Sequence, residues 1–167
     1  MDGRSNQTDS AHNEWVLAGR YVVEAVPLGE GGTADVFRAR DSHENDRIVA
    51  VKLIRRTASS GGNLQRDYLK FQREVTPGTL GLPGIVAVYE EFSLDPSVPE
   101  VGTVAPSHIR QQYQFAIVME FMDGRLETPI EWSEAVHIVR QVSQSMFQVH
   151  EKGYVHRDLK PANILLD

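Results

Sequence analysis

Three β-strand patterns follow one another along residues 21–54, and only short turns separate them. Residues 21–26 are rich in β-branched and aromatic side chains and run into a glycine-rich turn. Residues 35–40 alternate polar and apolar side chains, and residues 48–54 are apolar almost throughout. Consecutive strands joined by tight turns are typical of an antiparallel meander, which is the fold element that the sequence predicts first.

The alternation in the middle strand predicts which side chains face the interior. Val36 is expected to point inward, and Asp35 and Phe37 to point outward. Arg55 and Arg56 follow the third strand as a small basic cluster, which we interpret as a solvated face.

One helix and two more strands are predicted after the meander. Apolar side chains recur at helical spacing over residues 64–75. Thr76-Pro77-Gly78 is expected to end this helix, since the residue before a proline avoids the helical region. Strands are predicted at residues 85–92 and 115–120. Residues 93–114 between them are polar, proline-rich and long, which indicates a functional or disordered insertion, or else an ordinary surface loop.

The last part of the chain predicts a second, helical body. Met122-Asp123-Gly124 is interpreted as a hinge between the two bodies. A helix is predicted from Trp132 to Lys152, with Ser133 as its N-cap and Gly153 stopping it. Its apolar stripe is interpreted as core packing, and it consists of Val136, Val139, Val142, Met146 and Val149, with Ala135 and Ile138 beside it.

Composition and charge exclude several classes of protein. The hydrophobic fraction of 41% and the charged fraction of 24% are those of a soluble globular protein. A net charge of −6 provides no basic stripe for a nucleic acid, and no apolar run has membrane-spanning length. The absence of cysteine excludes a disulfide framework and fits a cytoplasmic location. Residues 1–20 are expected to form a disordered leader, because their first part is polar and has little to bury.

Two features of the meander carry chemical information. The turn Leu28-Gly29-Glu30-Gly31-Gly32-Thr33-Ala34-Asp35-Val36 is rich in glycine, and such turns let backbone N–H groups approach phosphate oxygens. An ordinary hairpin turn is the alternative. Lys52 lies in an otherwise apolar strand, and an unpaired buried lysine is unfavourable, so an anionic partner is expected. The alternative is a lysine at the sheet edge with its ammonium group in water.

A third chemical feature is the string His156-Arg157-Asp158-Leu159-Lys160-Pro161-Ala162-Asn163. An Asp and an Asn five residues apart in a loop can serve phosphoryl transfer, where one accepts a hydroxyl proton and the other helps to hold Mg²⁺. A surface turn made of ordinary turn residues is the alternative for any one of these side chains.

These motifs, in this order, resemble those of the protein kinase family. The string that ends at Asn163 resembles the family's catalytic loop, and Lys160-Pro161 follows the serine/threonine type. The Gly31-Gly32 pair is similar to bacterial-type (Hanks-type) members, while Ala34 replaces the third glycine of the family pattern. The resemblance covers Tyr21 to Asp167.

The resemblance implies an α+β fold. A kinase-like small lobe with its hinge, built from a five-stranded antiparallel sheet and one helix, would occupy residues 21–122. The start of a helical large lobe would occupy residues 123–167, ending just after the catalytic loop.

The resemblance also implies ATP and Mg²⁺ as cofactors and a protein Ser/Thr hydroxyl as the substrate. Asp158 would accept the proton of the attacking hydroxyl, Lys160 would neutralise charge on the moving phosphoryl group, and Asn163 would hold Mg²⁺. Lys52 would bind the α- and β-phosphates and pair with Glu74. The implied nucleotide-binding residues are Leu28, Gly29, Glu30, Gly31, Gly32, Val36, Ala50, Lys52, Glu74, Met119, Glu120, Met122 and Leu165.

The family's Asp-Phe-Gly segment, which carries the second Mg²⁺ ligand, would lie beyond Asp167. A polypeptide of these residues alone is therefore expected to lack kinase activity. One alternative is a non-catalytic regulator that binds nucleotide or a partner kinase, and a reading frame that continues into Asp-Phe-Gly would argue against it. Another is a small-molecule phosphotransferase of the aminoglycoside type, which shares the Asp and Asn but usually lacks Arg157 and Lys160-Pro161.

Overall fold

The computed structural model describes residues 14–56, 64–95, 104–126 and 129–166. The elements in chain order are β1 (Glu14–Leu17), β2 (Tyr21–Glu30), β3 (Ala34–Asp41), β4 (Arg47–Arg55), α1 (Leu64–Thr79), β5 (Val88–Ser93), α2 (Ser107–Gln112), β6 (Tyr113–Glu120), β7 (Gly124–Arg125), α3 (Trp132–Glu151) and β8 (Leu165–Leu166).

The described strands form a six-stranded antiparallel sheet in the order β1-β2-β3-β4-β6-β5. The predicted meander is its centre, and the α+β small lobe is confirmed with one strand more than expected. The extra strand is β1, in which Trp15 pairs with Val23 and Leu17 with Tyr21. The predicted disordered leader is therefore wrong over residues 14–20, because Trp15 and Leu17 are buried in the core; residues 1–13 lie outside the described part.

The inward and outward faces of β3 are the reverse of the prediction. Asp35 and Phe37 are buried, whereas Val36 is half-buried on the opposite face. The strand does alternate, but the predicted phase is wrong because Asp35 is buried with hydrogen-bond partners from other elements. Arg55 is likewise not simply solvated, since it forms an ion pair with Asp35.

One face of the sheet, the outer face, includes the β1 side chains Trp15 and Leu17 and is covered by residues 104–112. The backbone N–H of Ala18 donates to Val104 O (2.6 Å), and the N–H of Arg56 donates to Gln112 O (2.8 Å). The apolar side chains of this cluster include Tyr21, Val23, Phe37, Val51, Leu53, Leu94, Ala105, Ile109 and Val118. The long stretch 93–114 thus contributes an ordered helix to the core, although residues 96–103 lie outside the described part.

The other face, the inner face, carries α1. Phe71 and Val75 of the helix pack on Phe115 and Ile117 of β6, and the rings of Phe71 and Phe115 stack with centroids 4.3 Å apart. These aromatic contacts hold the helix against β6, next to the edge strand β5.

The helix α1 continues through Pro77 to Thr79, so the predicted end near Val75 is wrong. Pro77 lies in the last turn, so the helix lacks the hydrogen bond that an N–H at this position would donate to the carbonyl of Arg73. The Thr76 hydroxyl donates to Gln72 O (2.6 Å), which satisfies a carbonyl of this turn. A Cβ at Gly78 would lie 2.4 Å from a methyl carbon of Val88, so glycine permits the end of the helix to approach β5. β5 itself begins at Val88, three residues later than predicted.

The helix α3 begins at Trp132 as predicted and ends at Glu151, one residue before the predicted end, but its cap and its buried face differ from the prediction. Its N-cap is Glu131, with no side-chain cap bond, so Ser133 lies inside the first turn. The buried residues of the helix are Ile138, Ser145 and Val149. Val136 and Val139 of the predicted stripe are exposed. None of the helices among the described residues combines the length and apolar character that crossing a membrane requires.

Candidate nucleotide and catalytic site

The glycine-rich turn forms a hairpin between β2 and β3. Residues 31–33 are exposed at its tip, and the pairing of Gly29 with Val36 and of Glu30 with Asp35 sets its register. The N–H of Gly31 donates to Asp35 Oδ1 across the turn (3.3 Å). The hairpin therefore presents exposed backbone next to the inner face of the sheet.

Four residues predicted to bind nucleotide lie on the inner face. Val36 pairs with Lys52, and Ala50 pairs with Met119, in adjacent strands. Because side chains of paired residues share a face and alternate along each strand, these four point to the same side. Leu28, at 41% exposure, is an apolar side chain in the strand leading to the hairpin. The inner face thus offers apolar side chains together with the cation of Lys52 near the glycine-rich hairpin.

The predicted partner of Lys52 is Glu74. Lys52 is half-buried in β4, and Glu74 lies in α1, the helix that packs on the same face. The side chain of Glu74 lies outside the described part of the structure. The Lys52–Glu74 pair therefore stays a prediction, while the placement of the two elements is compatible with it.

The segment after β6 connects the small lobe to the catalytic loop. Glu120 is held at the end of β6, where its N–H donates to Ala87 O (2.8 Å) and its carboxylate accepts from the Ala87 N–H (3.2 Å). Met122 follows and is half-buried. The adenine contacts of Glu120 and Met122 stay predictions.

A short two-stranded sheet brings the end of the catalytic loop to this segment. Gly124 pairs with Leu166, and Arg125 pairs with Leu165, in antiparallel β7 and β8. Leu165, at 36% exposure, is thereby placed directly beside the chain that leaves the hinge. This arrangement suits its predicted contact with a nucleotide base.

The catalytic loop is organised by its own side chains. Lys160 Nζ lies 3.1 and 2.9 Å from the two carboxylate oxygens of Asp158. Asn163 Nδ2 donates to the backbone O of Asp158 (2.7 Å) and to Asp158 Oδ2 (2.9 Å). Residues 161–163 form a 3₁₀ turn that carries Asn163 back toward Asp158. The structure thus brings together all three residues predicted for chemistry.

The loop electrostatics keep Asp158 ionised. The Lys160 ammonium, followed by the Asn163 amide, lowers the pKa of the Asp158 carboxyl below its usual value. An ionised, exposed carboxylate can accept a hydrogen bond from a hydroxyl group. Since Asn163 donates through its nitrogen, its amide oxygen remains to accept, and that is the atom a Mg²⁺ ion requires.

The described residues contain no cluster of three or more His, Cys, Asp or Glu side chains that could hold a metal ion. Asn163 as a Mg²⁺ ligand therefore stays a prediction, and Mg²⁺ coordination here would depend on the nucleotide phosphates.

The sequence prediction missed Asp35, Arg55 and Tyr113. Asp35 Oδ2 accepts from the Tyr113 hydroxyl and from Arg55 Nη2, both at 2.6 Å. The sequence does contain a sign of this network. Asp35 lies on the same face of β3 as the apolar residues Phe37 and Ala39, and a carboxylate on a buried face needs hydrogen-bond donors.

The sheet with its glycine-rich hairpin, the helix α1 and the loop at residues 156–163 together have the arrangement of a protein-kinase-like small lobe followed by the start of a large lobe. The sequence matches the family model of the protein kinase domain over residues 22–167. The chain therefore belongs to the protein kinase family.

Curated relatives of the chain are bacterial kinases. The chain is 32% identical over 162 residues to the probable serine/threonine-protein kinase PknB of Lactococcus lactis, with 90% of this chain and 22% of the relative covered. It is 34% identical over 161 residues to serine/threonine-protein kinase PknB of Mycobacterium leprae, with the same coverage of both chains. It is 33% identical over 159 residues to serine/threonine-protein kinase pkn3 of Myxococcus xanthus, with 90% of this chain and 25% of that relative covered. The chain thus spans about a quarter or less of the length of these relatives.

Proposed function

We propose that the protein to which these residues belong transfers the γ-phosphoryl group of ATP to Ser or Thr hydroxyls of proteins. The observation that carries the proposal is the shared inner face of Val36, Ala50, Lys52 and Met119 beside the glycine-rich hairpin. The assembled Asp158 loop supplies the second half of such a site. The serine/threonine specificity is supported by Lys160-Pro161 and by the names of the bacterial relatives.

The apolar residues of the inner face fit an adenine ring. Leu28 and Leu165 are partly exposed apolar side chains, and Val36 and Met119 lie on the face between the hairpin and the hinge. A flat apolar ligand would cover surface that is otherwise in contact with water, which favours binding. Glu120 and Met122 would offer backbone groups to its polar edge.

The charged and glycine-rich parts of the site fit the phosphates. Gly29, Gly31 and Gly32 leave the hairpin backbone open to phosphate oxygens, and Lys52 would add a positive charge on the same face. Bound Mg²⁺ would supply charge neutralisation between the phosphates. A cytoplasmic location of this part of the protein belongs to the proposal, since ATP is the cosubstrate.

The catalytic loop would act on the hydroxyl and on the transferred group. Asp158, kept ionised by Lys160 and Asn163, would accept the hydrogen bond of the incoming hydroxyl and orient its oxygen. Lys160, which lies beside that carboxylate, would move its ammonium group toward the phosphoryl oxygens. Positioning and charge stabilisation account for most of the rate enhancement in this chemistry.

Nucleotide binding is the first test. We expect ATP to raise the melting temperature of the 167-residue chain, since a ligand at a hundred times its Kd stabilises the folded state by about 2.7 kcal/mol. Lys52→Met keeps the apolar stem and removes the charge, so the ATP-dependent shift should largely disappear. Lys152→Met, in an exposed lysine at the end of α3, is the matched control and should keep the shift.

The same preparation should bind ATP without transferring phosphate to a generic protein substrate, because these 167 residues do not include an Asp-Phe-Gly segment with its Mg²⁺ ligand. No thermal shift at millimolar ATP would contradict the nucleotide site. Binding together with inactivity of a longer chain that includes the Asp-Phe-Gly segment would favour the non-catalytic regulator instead.

A further inference from the structure

Asp35 is a carboxylate buried in the small lobe, at 1% exposure, and the phosphoryl-transfer chemistry described above does not use it. Burying an ionised carboxylate is unfavourable unless hydrogen-bond donors surround it. Asp35 has three donors: the hydroxyl of Tyr113 and the guanidinium of Arg55, both at 2.6 Å, and the N–H of Gly31 at 3.3 Å. Both carboxylate oxygens of Asp35 therefore accept hydrogen bonds, and each donor belongs to a different part of the fold.

The three donors join the hairpin tip to the rest of the small lobe. Gly31 lies in the exposed glycine-rich tip, and Arg55 is the last residue of β4. The backbone N–H of Arg55 also donates to the carbonyl of Thr33 (2.9 Å), so this residue contacts the hairpin twice. Tyr113 is both the C-cap of α2 and the first residue of β6.

The far end of this network is the stretch that covers the outer face. Tyr113 follows directly on α2, whose Ile109 is buried in the outer cluster together with Ala105. The Arg55 guanidinium lies over the Tyr113 ring, 5.6 Å from its centroid. A rearrangement of residues 104–112 would therefore change a direct partner of Asp35.

We propose that Asp35 is a positioning residue for the glycine-rich hairpin, and that Tyr113 couples residues 104–112 to the phosphate-binding end of the nucleotide site. The proposal rests on the proposed function for its consequence on nucleotide affinity. Its structural part, the restraint of the Gly31 N–H by Asp35, does not depend on nucleotide binding.

The physical consequence is preorganisation of the hairpin. A hairpin tip held by the Gly31–Asp35 bond loses less conformational freedom when phosphates bind, which raises affinity. Loss of one hydrogen bond should weaken ATP binding about threefold to tenfold, the factor that its net free energy corresponds to. Adenosine, which has no phosphates, should be affected much less.

The test compares two buried carboxylates of the same strand. Asp35→Ala removes the network at the hairpin. Asp41→Ala removes the carboxylate at the other end of β3, which is held by Arg20 and Arg47 and has no bond to the hairpin. Tyr113→Phe is the milder variant, since it removes one donor and leaves the carboxylate ionised and paired with Arg55.

Two readouts are measured on the full 167-residue chain. Amide hydrogen exchange of Gly31 is followed by NMR without nucleotide, and the Kd values of ATP and adenosine are measured by calorimetry. Asp35→Ala should accelerate Gly31 exchange at least about threefold and weaken ATP more than adenosine. Tyr113→Phe should change both readouts in the same direction by a smaller factor, and Asp41→Ala should leave Gly31 exchange unchanged.

Unchanged Gly31 exchange in Asp35→Ala would overturn the proposal. So would equal losses of ATP and adenosine affinity, or the same effects in Asp41→Ala, since these would indicate a general loss of stability. If Asp35→Ala does not fold, the Gly31 exchange rate in Tyr113→Phe decides. If the unsubstituted chain binds no ATP, the proposed function fails, while the exchange data still support or reject the restraint of Gly31.

Discussion

The small lobe and residues 129–166 bury their apolar side chains to very different extents. In the small lobe Leu53 and Val51 are fully buried, and layers of structure lie on both faces of the sheet. In α3, Val139 and Phe147 are each 63% exposed. Both regions carry a regular apolar pattern in the sequence. A pattern therefore indicates which side of an element is apolar, while burial depends on the presence of a partner element.

The contact between the two regions is narrow. The Ser145 hydroxyl donates to Pro83 O (3.0 Å), and the nearby Ile138 and Val149 are the apolar residues of α3 that are buried. The exposed stripe of α3 continues toward the catalytic loop, where Val155 and Leu159 are also exposed. Among the described residues no element covers that stripe, so we expect stability to reside mainly in the small lobe.

The largest expected difference is in the response to a core truncation. Leu53→Ala should lower the free energy of unfolding by about 2–5 kcal/mol, because it leaves a cavity in the outer cluster. Val139→Ala, at an exposed position of α3, should change it by less than about 0.5 kcal/mol. Urea unfolding followed by circular dichroism measures both. Similar losses for the two variants would show that α3 is as well packed as the sheet.

Sequence patterns predicted the elements of the small lobe well and their environments less well. Val49, Val51 and Leu53 form a run that is apolar enough to indicate a central strand. The predicted phase of β3 is wrong because Asp35 is buried through tertiary partners on β4 and β6, which local alternation does not report.

The proximity of the predicted catalytic residues could be anticipated for a different reason. Asp158, Lys160 and Asn163 contact one another within a single loop, so their spacing in the sequence already determines their proximity. The restraint of Gly31 by Asp35 depends on the exact hairpin register, and the link to Tyr113 spans 78 residues, so neither could be predicted from local sequence.

The second expected difference between the small lobe and the catalytic loop is the effect of acid on stability. The bidentate hydrogen bonds of Arg20 lower the pKa of Asp41 and outweigh its burial. Burial would raise the pKa of Asp35, but hydrogen bonds from Tyr113, Arg55 and the Gly31 N–H outweigh that effect and lower it. Groups with a lowered folded pKa stabilise the fold above the unfolded value of about 3.9 and lose this contribution as the pH falls through the folded value.

The small lobe should therefore keep its unfolding free energy from neutral pH down to about pH 5 and lose it progressively below about pH 4. Urea midpoints at a series of pH values measure this loss. Asp41→Asn should have a lower unfolding free energy at neutral pH. Its unfolding free energy should also fall less steeply with pH, since one of the two buried carboxylates with a lowered pKa is gone. A decline of the same steepness in this variant would mean that the Arg20–Asp41 pair is not responsible.

The smallest effect on stability is expected in the catalytic loop, where the ion pair is exposed to solvent. Lys160→Met removes the ammonium group that lies 2.9 Å from Asp158 Oδ2. Exposed pairs contribute little to folding, so the urea midpoint should not move measurably. The pKa of Asp158 should nevertheless rise toward its ordinary value, because the largest cause of its lowering is gone while the Asn163 bond remains.

A carboxyl ¹³C NMR titration of Asp158 measures this change, with Lys152→Met as the control that should leave the titration unaltered. A pKa of Asp158 that is unchanged in Lys160→Met would mean that the two side chains are apart in solution. A rise in pKa without a change in the urea midpoint would instead distinguish the loop from the small lobe: buried carboxylates such as Asp41 stabilise the fold, whereas the pair in the loop sets the charge state of a site.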